Sequence, residues 1–506
     1  MERRGLANNI AILMVFTVLL KGMGFINRMV IAYYYGTTSF TDVYYNASGF
    51  VDSLALILLA SLSVGVINVY LKNKNTSGNN RFISNLLISI CGIMIIIGVV
   101  LLLCSDLISH ILAPAYKKEE LSKLAIMLKT MSITLPFQGA ISVFSSILQA
   151  EKKFTPVKLT GAITSGISIL CVILFNTTLG VNALVVSYIT GIVFNAAFLF
   201  GCSKRLFRFE PSGLFRDVDI KTLLILIGPL LIGTAGHEIN LIIDKSIASQ
   251  LVEGSISALS YSCVLYLFIE NVINNSIVVA IFPDLTERVH NSTKEEIADM
   301  AKKTTAFAEY LLFPIVIICA FCATDITKIV YMRGNFNSNS LQLTSEALTG
   351  YVFGLPFMAL RDIVTRIYYA YSDTKTPVKY NLIAVCSNIV LDYLLSKIWG
   401  VMGITVATSF SCALAAFLLL INVRKHNCFV ADSKLNKMVF SMIMFSLVDF
   451  VVLKLAFGRT AGIGRIIVTA AISFLLEIVF LELVKPLYYK EIKQTVLQKI
   501  SLRKRK

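Results

Sequence analysis

The sequence predicts an all-α polytopic membrane protein, with two parallel six-helix repeats followed by two further helices. Three observations carry this. Of 506 residues, 56% are hydrophobic and 15% charged, and the mean hydropathy is strongly positive; a soluble chain of this size would divide into domains with charged surfaces. Apolar runs of about 20 residues, enough to cross the hydrocarbon core as a helix, recur along the chain. A pattern in residues 135–181 returns 220 residues later. In lipid each segment must satisfy its own backbone polar groups, which selects helices, and the short alternating segments of a β-barrel are absent.

The elements follow in order. Arg3 and Arg4 precede an apolar run too long for the core of a cleavable signal, so this run is expected to remain as the first span. It centres near Thr17 and extends through Lys21 and Arg28 towards Tyr35. Spans two to six centre near Leu56, Ile95, Thr134, Ile167 and Gly191, closing a first lobe over 1–215. Spans seven to twelve centre near Ile232, Phe268, Ile315, Phe357, Ala384 and Ala413, in a second lobe over 216–427. Spans thirteen and fourteen, near Met444 and Phe474, occupy 428–488, and 489–506 is a basic tail. The longer runs allow tilt or projection beyond the bilayer.

The repeat rests on Leu135-Pro136-Phe137 returning as Leu355-Pro356-Phe357, Ala150 as Ala370, and Gly180-Val181 as Gly400-Val401. Thr155-Pro156-Val157-Lys158 returns as Thr376-Pro377-Val378-Lys379, one residue out of step. Six spans per copy make the copies parallel. Transporters of that kind bind substrate between repeats near mid-membrane and work by rocking one against the other. A channel is disfavoured, because no short filter-like segment appears.

The net charge of +16 comes from 46 Lys and Arg against 30 Asp and Glu. The basic residues concentrate in the N-terminus, in 72–81, 204–221 and 424–437, and in the tail from Lys485. With an even number of spans this places both termini in the cytoplasm, and the tail reads as an anchor on anionic headgroups rather than a nucleic-acid site. Cysteines such as Cys91, Cys104, Cys171, Cys319 and Cys386 fall in apolar spans, as small hydrophobes do. His110, His237, His290 and His426 make no metal-ligand cluster. Neither a GxxxxGK[ST] loop nor a catalytic His/Cys/Asp arrangement is present, so the chain reads as a transporter and not an enzyme. Its work must come from an ion gradient or from membrane potential, worth about 2.3 kcal/mol per charge per 100 mV.

Ionisable residues inside spans are costly and mark functional positions. Lys21, Arg28, Lys129, Lys245, Arg361 and Arg366 qualify. Lys21 and Arg28 are seven apart, about two turns, and share a helix face; Glu238 and Lys245 repeat that spacing on the first helix of the second copy. Cationic helices at equivalent places would face a central cavity suited to an anionic headgroup, and Arg suits pyrophosphate. Arg361 and Asp362 are neighbours in sequence but diverge by about 100° on a helix, and Lys129 is expected to snorkel to an interface. A polar set, Asn388 and Asp392 with Thr405, Thr408 and Asp244, fits Na⁺ or proton binding and equally fits interhelical hydrogen bonding. The first copy has Ser168 and Val172 at the places of Asn388 and Asp392, so any ion site belongs to one half.

Three stretches carry a resemblance: Lys21-Gly22-Met23-Gly24-Phe25 through Gly36 to Thr41-Asp42, Tyr331-Met332-Arg333-Gly334-Asn335-Phe336, and Arg366 to Pro377. They resemble the MurJ (MviN) family, within the superfamily of multidrug and oligosaccharidyl-lipid exporters, over nearly the whole chain. The resemblance implies fourteen helices, a V-shaped central cavity and a bacterial inner-membrane flippase for lipid II in peptidoglycan synthesis. Headgroup binding is expected of Lys21, Arg28, Lys245, Arg361 and Arg366, and the resemblance puts Lys21 and Arg28 at or next to the family's basic positions and Asp42 at the outer end of the first helix. Asp244, Asn388, Asp392 and Thr408 match a sodium site of some members, so Na⁺ or H⁺ is the expected coupling ion and no other cofactor is implied. Expected partners are a lipid-linked glycan, bilayer lipids and the cell-wall synthesis machinery, with the polyprenyl tail beside spans thirteen and fourteen. The chain departs from the family in carrying Val264 and Leu267 where the eighth helix usually has Arg and Glu, and Ala60-Ser61 near a missing basic pair. Those departures keep a capsule or O-unit carrier open as substrate. A cation-coupled multidrug exporter and a scaffolding protein without transport are the remaining alternatives.

Overall fold

The computed structural model describes residues 22–73, 78–210, 218–271, 293–423, 433–457, 462–486, 488–491 and 493–494. They form α1 (22–35), α2 (Ser39–Asn73), α3 (Gly78–Leu112), α4 (Lys118–Met131), α5 (Leu135–Ala150), α6 (Phe154–Leu179) and α7 (Asn182–Ser203). There follow α8 (Val218–Ala248), α9 (255–271), α10 (Lys294–Phe321), α11 (Ala323–Tyr331), α12 (Ser338–Val352) and α13 (Leu355–Ala370). The last are α14 (Lys375–Trp399), α15 (Val401–Asn422), α16 (Ser433–Phe457) and α17 (Ile463–Val484). No strand occurs among the described residues. Each expected span centre from Leu56 to Phe474 falls inside a helical segment, while the first, at Thr17, lies outside the described residues. Among the described residues, ten helices are long and apolar enough to cross a membrane, or eleven if α12 and α13, bent by 41° at their junction, are one span.

Burial follows the bilayer pattern. Large apolar side chains point outward, Leu103, Leu455 and Leu483 among them, while Ser, Thr and Asn side chains and several carboxylates are buried. Water would penalise that outer surface, whereas hydrocarbon does not, and inward polar groups hold membrane helices together.

The internal repeat is visible in backbone geometry. Pro136 and Pro356 sit in the first turns of α5 and α13, where a missing N–H costs nothing. Both helices then close identically. The N–H groups of Lys152 and Lys153 donate to the carbonyls of Gln149 and Leu148, and those of Ser372 and Asp373 to Tyr369 and Tyr368. Lys152 and Ser372 both take a left-handed φ, +56° and +60°. The one-residue slip at Thr-Pro-Val-Lys also has a structural cause. α14 starts one residue later in its copy than α6, yet has 25 residues against 26. Register is thus restored at Gly180 and Gly400, which end the two helices at φ +54° and +57°.

By packing, the described residues form two compact units, one up to Ser260 together with 333–337, the other 261–332 and from Ser338 onward. In the first, α8 packs most extensively on α2 and α6 on α7, so α8, first helix of the second repeat, packs with the first unit. In the second, α10, α13, α15, α16 and α17 share a core including Tyr310, Phe313, Ile367, Tyr368 and Leu419, with the Tyr368 hydroxyl donating to the Leu419 carbonyl at 2.9 Å. Cys319 and Cys322, three residues apart at the end of α10, are buried and unbridged, and no group of three or more His, Cys, Asp or Glu that could hold a metal occurs among the described residues.

Candidate substrate site

The first unit assembles a charged site on one face of α2. Tyr45, Gly49 and Asp52 recur at helical spacing and meet α1, α5, α7 and α8. From α1, the Arg28 guanidinium lies over the Tyr45 ring, 4.7 Å from its centroid. From α8, the Lys245 ammonium donates to the Tyr45 carbonyl at 3.0 Å and lies directly over Gly49, where any Cβ would collide with Nζ. Asp52 faces the charges of both Lys245 and Arg28. It accepts from the Tyr188 hydroxyl at 2.6 Å and from Gln138 Nε2 at 3.5 Å. One helix face further along, buried Glu238 accepts from Ser53 Oγ at 2.7 Å, and Ser61 meets Thr234 at 3.2 Å. A cavity of about 320 Å³ opens beside these groups, lined by Asp52, Leu56, Ala60, Gln138 and Asn195 among others.

The arrangement is nearly charge-balanced. Arg28 and Lys245 bring two positive charges, and Asp52 and Glu238 two negative ones, on helices that bury them together. A cation beside a carboxylate tolerates burial, and an incoming anion can take over the same donors through charge-assisted hydrogen bonds. The seven-residue spacing of Glu238 and Lys245 does put both on the face of α8 that meets α2. Lys21 lies outside the described residues.

Asp42 acts elsewhere in this unit, as an external cap on α9. Its carboxylate accepts from the N–H groups of Gly254 and Ser257, each at 2.7 Å, and from Ser257 Oγ at 2.5 Å. Negative charge is favourable at a helix N-terminus, where backbone donors lack intrahelical partners. Beside it, the Ser39 N–H donates to Glu253. The Arg333–Asn337 turn docks here too. The Asn335 N–H donates to the Tyr33 carbonyl at 2.8 Å and its Nδ2 to the Tyr34 carbonyl at 2.5 Å. Gly334, at φ +60°, abuts the Tyr33 carbonyl, and Gly36, at φ +59°, abuts that of Asn335; both positions need glycine.

In the second unit, Arg361 does reach its sequence neighbour. The guanidinium folds back so that Nε and Nη2 donate to Asp362 Oδ1 at 3.0 and 2.9 Å, with Nη1 3.9 Å from Cys412 Sγ. The divergence of adjacent Cβ atoms is overcome by the length of the Arg side chain. Arg366 is half-buried on α13. Asn388 and Asp392 are buried on one face of α14. Thr405 and Thr408 donate to the carbonyls of Met402 and Ile404, one turn back in α15, at 3.0 and 3.1 Å. Asp244 belongs to the first unit, where Asn240 Nδ2 donates to it at 3.1 Å. At the equivalent place in the first repeat, Ser168 donates to Ser187 across α6 and α7 at 3.2 Å. Lys129 pairs with Asp106 at 3.1 Å on an exposed surface.

The described residues are helical, with membrane-length apolar helices that bury ionisable side chains on their faces, and this defines a polytopic membrane protein. A solved structure of an inward-facing multidrug resistance MATE family transporter of the MOP superfamily shares the fold, with TM-score 0.62 at 13% identity, over 81% of this chain and 94% of that one. A structure of lipid II flippase MurJ in an inward closed conformation superposes with TM-score 0.81 at 22% identity, over 95% of this chain and 99% of that one. The chain belongs to the lipid II flippase MurJ family, whose model matches residues 31–481. Among curated relatives, the probable lipid II flippase MurJ of Rickettsia prowazekii is 28% identical over 79% of this chain and 80% of its own. That of Vibrio cholerae is 30% identical over 60% and 58%.

Proposed function

We propose that this protein translocates lipid II, the lipid-linked precursor of peptidoglycan, across the bacterial cytoplasmic membrane by alternating access, as a transporter and not an enzyme. The observation that carries the reading is the family match over residues 31–481. The charged face of α2 supplies the chemistry. Arg28 and Lys245 are the headgroup cations of the first unit, and Asp52, which faces both charges, holds them between cycles. Removing one partner of such a buried pair costs about 3–5 kcal/mol, so an anionic pyrophosphate that replaces the carboxylate keeps the cations neutralised throughout. The Gly49 surface lets Lys245 lie close on α2.

Lys21, Arg361 and Arg366 are proposed as further headgroup cations on the sequence argument. Na⁺ or H⁺ is the proposed coupling ion, with Asp244, Asn388, Asp392 and Thr408 as candidate ligands for Na⁺. Both termini are proposed to be cytoplasmic, and the cell-wall synthesis machinery is the proposed partner. The test is flipping of purified lipid II in proteoliposomes beside a polyprenyl-pyrophosphate capsule or O-unit precursor. Faster flipping of lipid II is expected. Selective flipping of the other glycan would assign that substrate, and transport of small cationic drugs alone would assign an exporter.

A further inference from the structure

The second unit contains a group of buried carboxylates that the headgroup site does not use. Glu309 on α10, Asp449 on α16 and Glu477 on α17 are 2%, 1% and 3% exposed, on three helices that all pack against one another. The candidate spans run over residues 295–321, 437–456 and 463–484, so each carboxylate lies close to the middle of its span. The buried face of α17 is itself polar. Thr469, Ser473 and Glu477 recur at four-residue intervals before Leu481, while Ile467, Leu475 and Ile478 face outward. Interhelical adhesion needs only the hydroxyls of such a stripe; carboxylates at mid-span mark relays.

Their surroundings identify the ligand. Ser473 Oγ donates to Asp449 Oδ2 at 2.5 Å, tying α17 to α16, and Glu477 faces the charge of Asp449. The outer oxygens, Asp449 Oδ1, Glu477 Oε1 and Glu309 Oε2, are buried without a hydrogen-bond partner among the described residues, as is Ser446 Oγ one turn from Asp449. From α10, Tyr310 faces Glu477, and Glu309 is buried one residue away. Lys454, about 8 Å along α16 from Asp449, is exposed, and two further basic groups of these helices are paired with other acids. Arg465 pairs with Asp325 of α11 at 3.2 Å, twelve residues and about 18 Å along α17 from Glu477. Lys303 pairs with Asp299 and Glu491, each at 2.9 Å, about 9 Å along α10 from Glu309. Two carboxylates facing each other in a low-dielectric interior without a cation cannot both stay ionised, and one keeps its proton.

We propose that Asp449 and Glu477, with Ser473 donating to Asp449 from the same face of α17 as Glu477, form an intramembrane proton-binding site that holds one proton between the two carboxylates. Loss of that proton leaves two like charges between α16 and α17, and its return lets them close. The site gives H⁺ a place in the transport cycle that is separate from the headgroup cations; that role rests on the transporter reading, whereas the proton binding itself does not.

Infrared difference spectroscopy on the full chain in lipid nanodiscs tests the binding, since it needs no transport. At neutral pH a protonated-carboxyl band is expected, shifted in D₂O, lost or displaced in both Asp449→Asn and Glu477→Gln, and retained in Asp52→Asn. The absence of any band sensitive to Asp449 or Glu477 would overturn the proposal. So would replacement of the band by an ionised carboxylate signal on adding Na⁺, which would make this a metal-cation site. In proteoliposomes, Glu477→Gln should keep flipping but lose the response to an imposed pH gradient that the parent shows; an unchanged response would remove the coupling role and leave the bound proton structural. Failure of the parent to flip any lipid would count against the transport reading alone.

Discussion

Replacing Asp42 by alanine tests the capping of α9 in the first unit most sharply, because each interaction it removes is defined. The carboxylate receives two backbone N–H groups at 2.7 Å and one hydroxyl at 2.5 Å. The Ser257 hydroxyl can rotate to another acceptor, but the N–H groups of Gly254 and Ser257 cannot. Each buried donor left unmade costs about 1–3 kcal/mol, so Asp42→Ala should cost roughly 3–4 kcal/mol locally, taking both donors together. At 1.4 kcal/mol per factor of ten, amide exchange at Gly254 and Ser257 should accelerate about 10²–10³-fold. Asp42→Asn keeps one acceptor but turns an NH₂ towards the second donor, so its effect should fall between the parent and alanine. Hydrogen–deuterium exchange with peptide coverage of 249–260 reads this directly, with α15 as internal control. Unchanged exchange at Gly254 and Ser257 in Asp42→Ala would refute the assignment of Asp42 as the cap of α9.

Three further outcomes follow from the same geometry. Asp52→Asn retains an acceptor for the Tyr188 hydroxyl but removes the charge facing Arg28 and Lys245. The cations then lose a competing anion, so a polyprenyl pyrophosphate should bind about tenfold tighter or more by microscale thermophoresis, equivalent to about 1.4 kcal/mol or more, and unchanged affinity would remove Asp52 as a placeholder. Gly334→Ala forces a Cβ towards the Tyr33 carbonyl at φ +60°; the left-handed conformation alone costs about 1–2 kcal/mol, and exchange of the Asn335 amide should rise at least tenfold. Asp392→Ala should abolish any Na⁺ dependence of flipping in proteoliposomes, and indifference to Na⁺ in the parent would sink that coupling scheme.

Much of the fold was legible because membrane helices announce themselves by length and polarity alone. The span centres and the repeat needed no side-chain detail, and even the slip at Thr-Pro-Val-Lys is a real difference in turn and helix length. Contacts between distant segments were not legible. Nothing in sequence says that α8 packs on α2, that Gly49 is the bed for Lys245, or that residues 333–337 dock on the turn after α1. Asp52 had a readable signal, as an acid inside an apolar run, but its partners on α5, α7 and α8 lie far away in sequence. Asp449 and Glu477 carried the same signal in spans thirteen and fourteen, whose role was tied to a lipid tail. Arg361 shows the converse limit, since its pairing with Asp362 depends on a rotamer that helical spacing does not fix.

The central claim is tested most directly in bacteria depleted of their own lipid II flippase, by quantifying lipid II exposed at the outer leaflet with membrane insertion verified. The parent protein should restore exposed lipid II and growth, and an Arg28→Ala, Lys245→Met double variant, equally inserted, should restore neither. A well-inserted parent that leaves lipid II inside would contradict lipid II as the substrate, and full rescue by the double variant would contradict the headgroup site on α2.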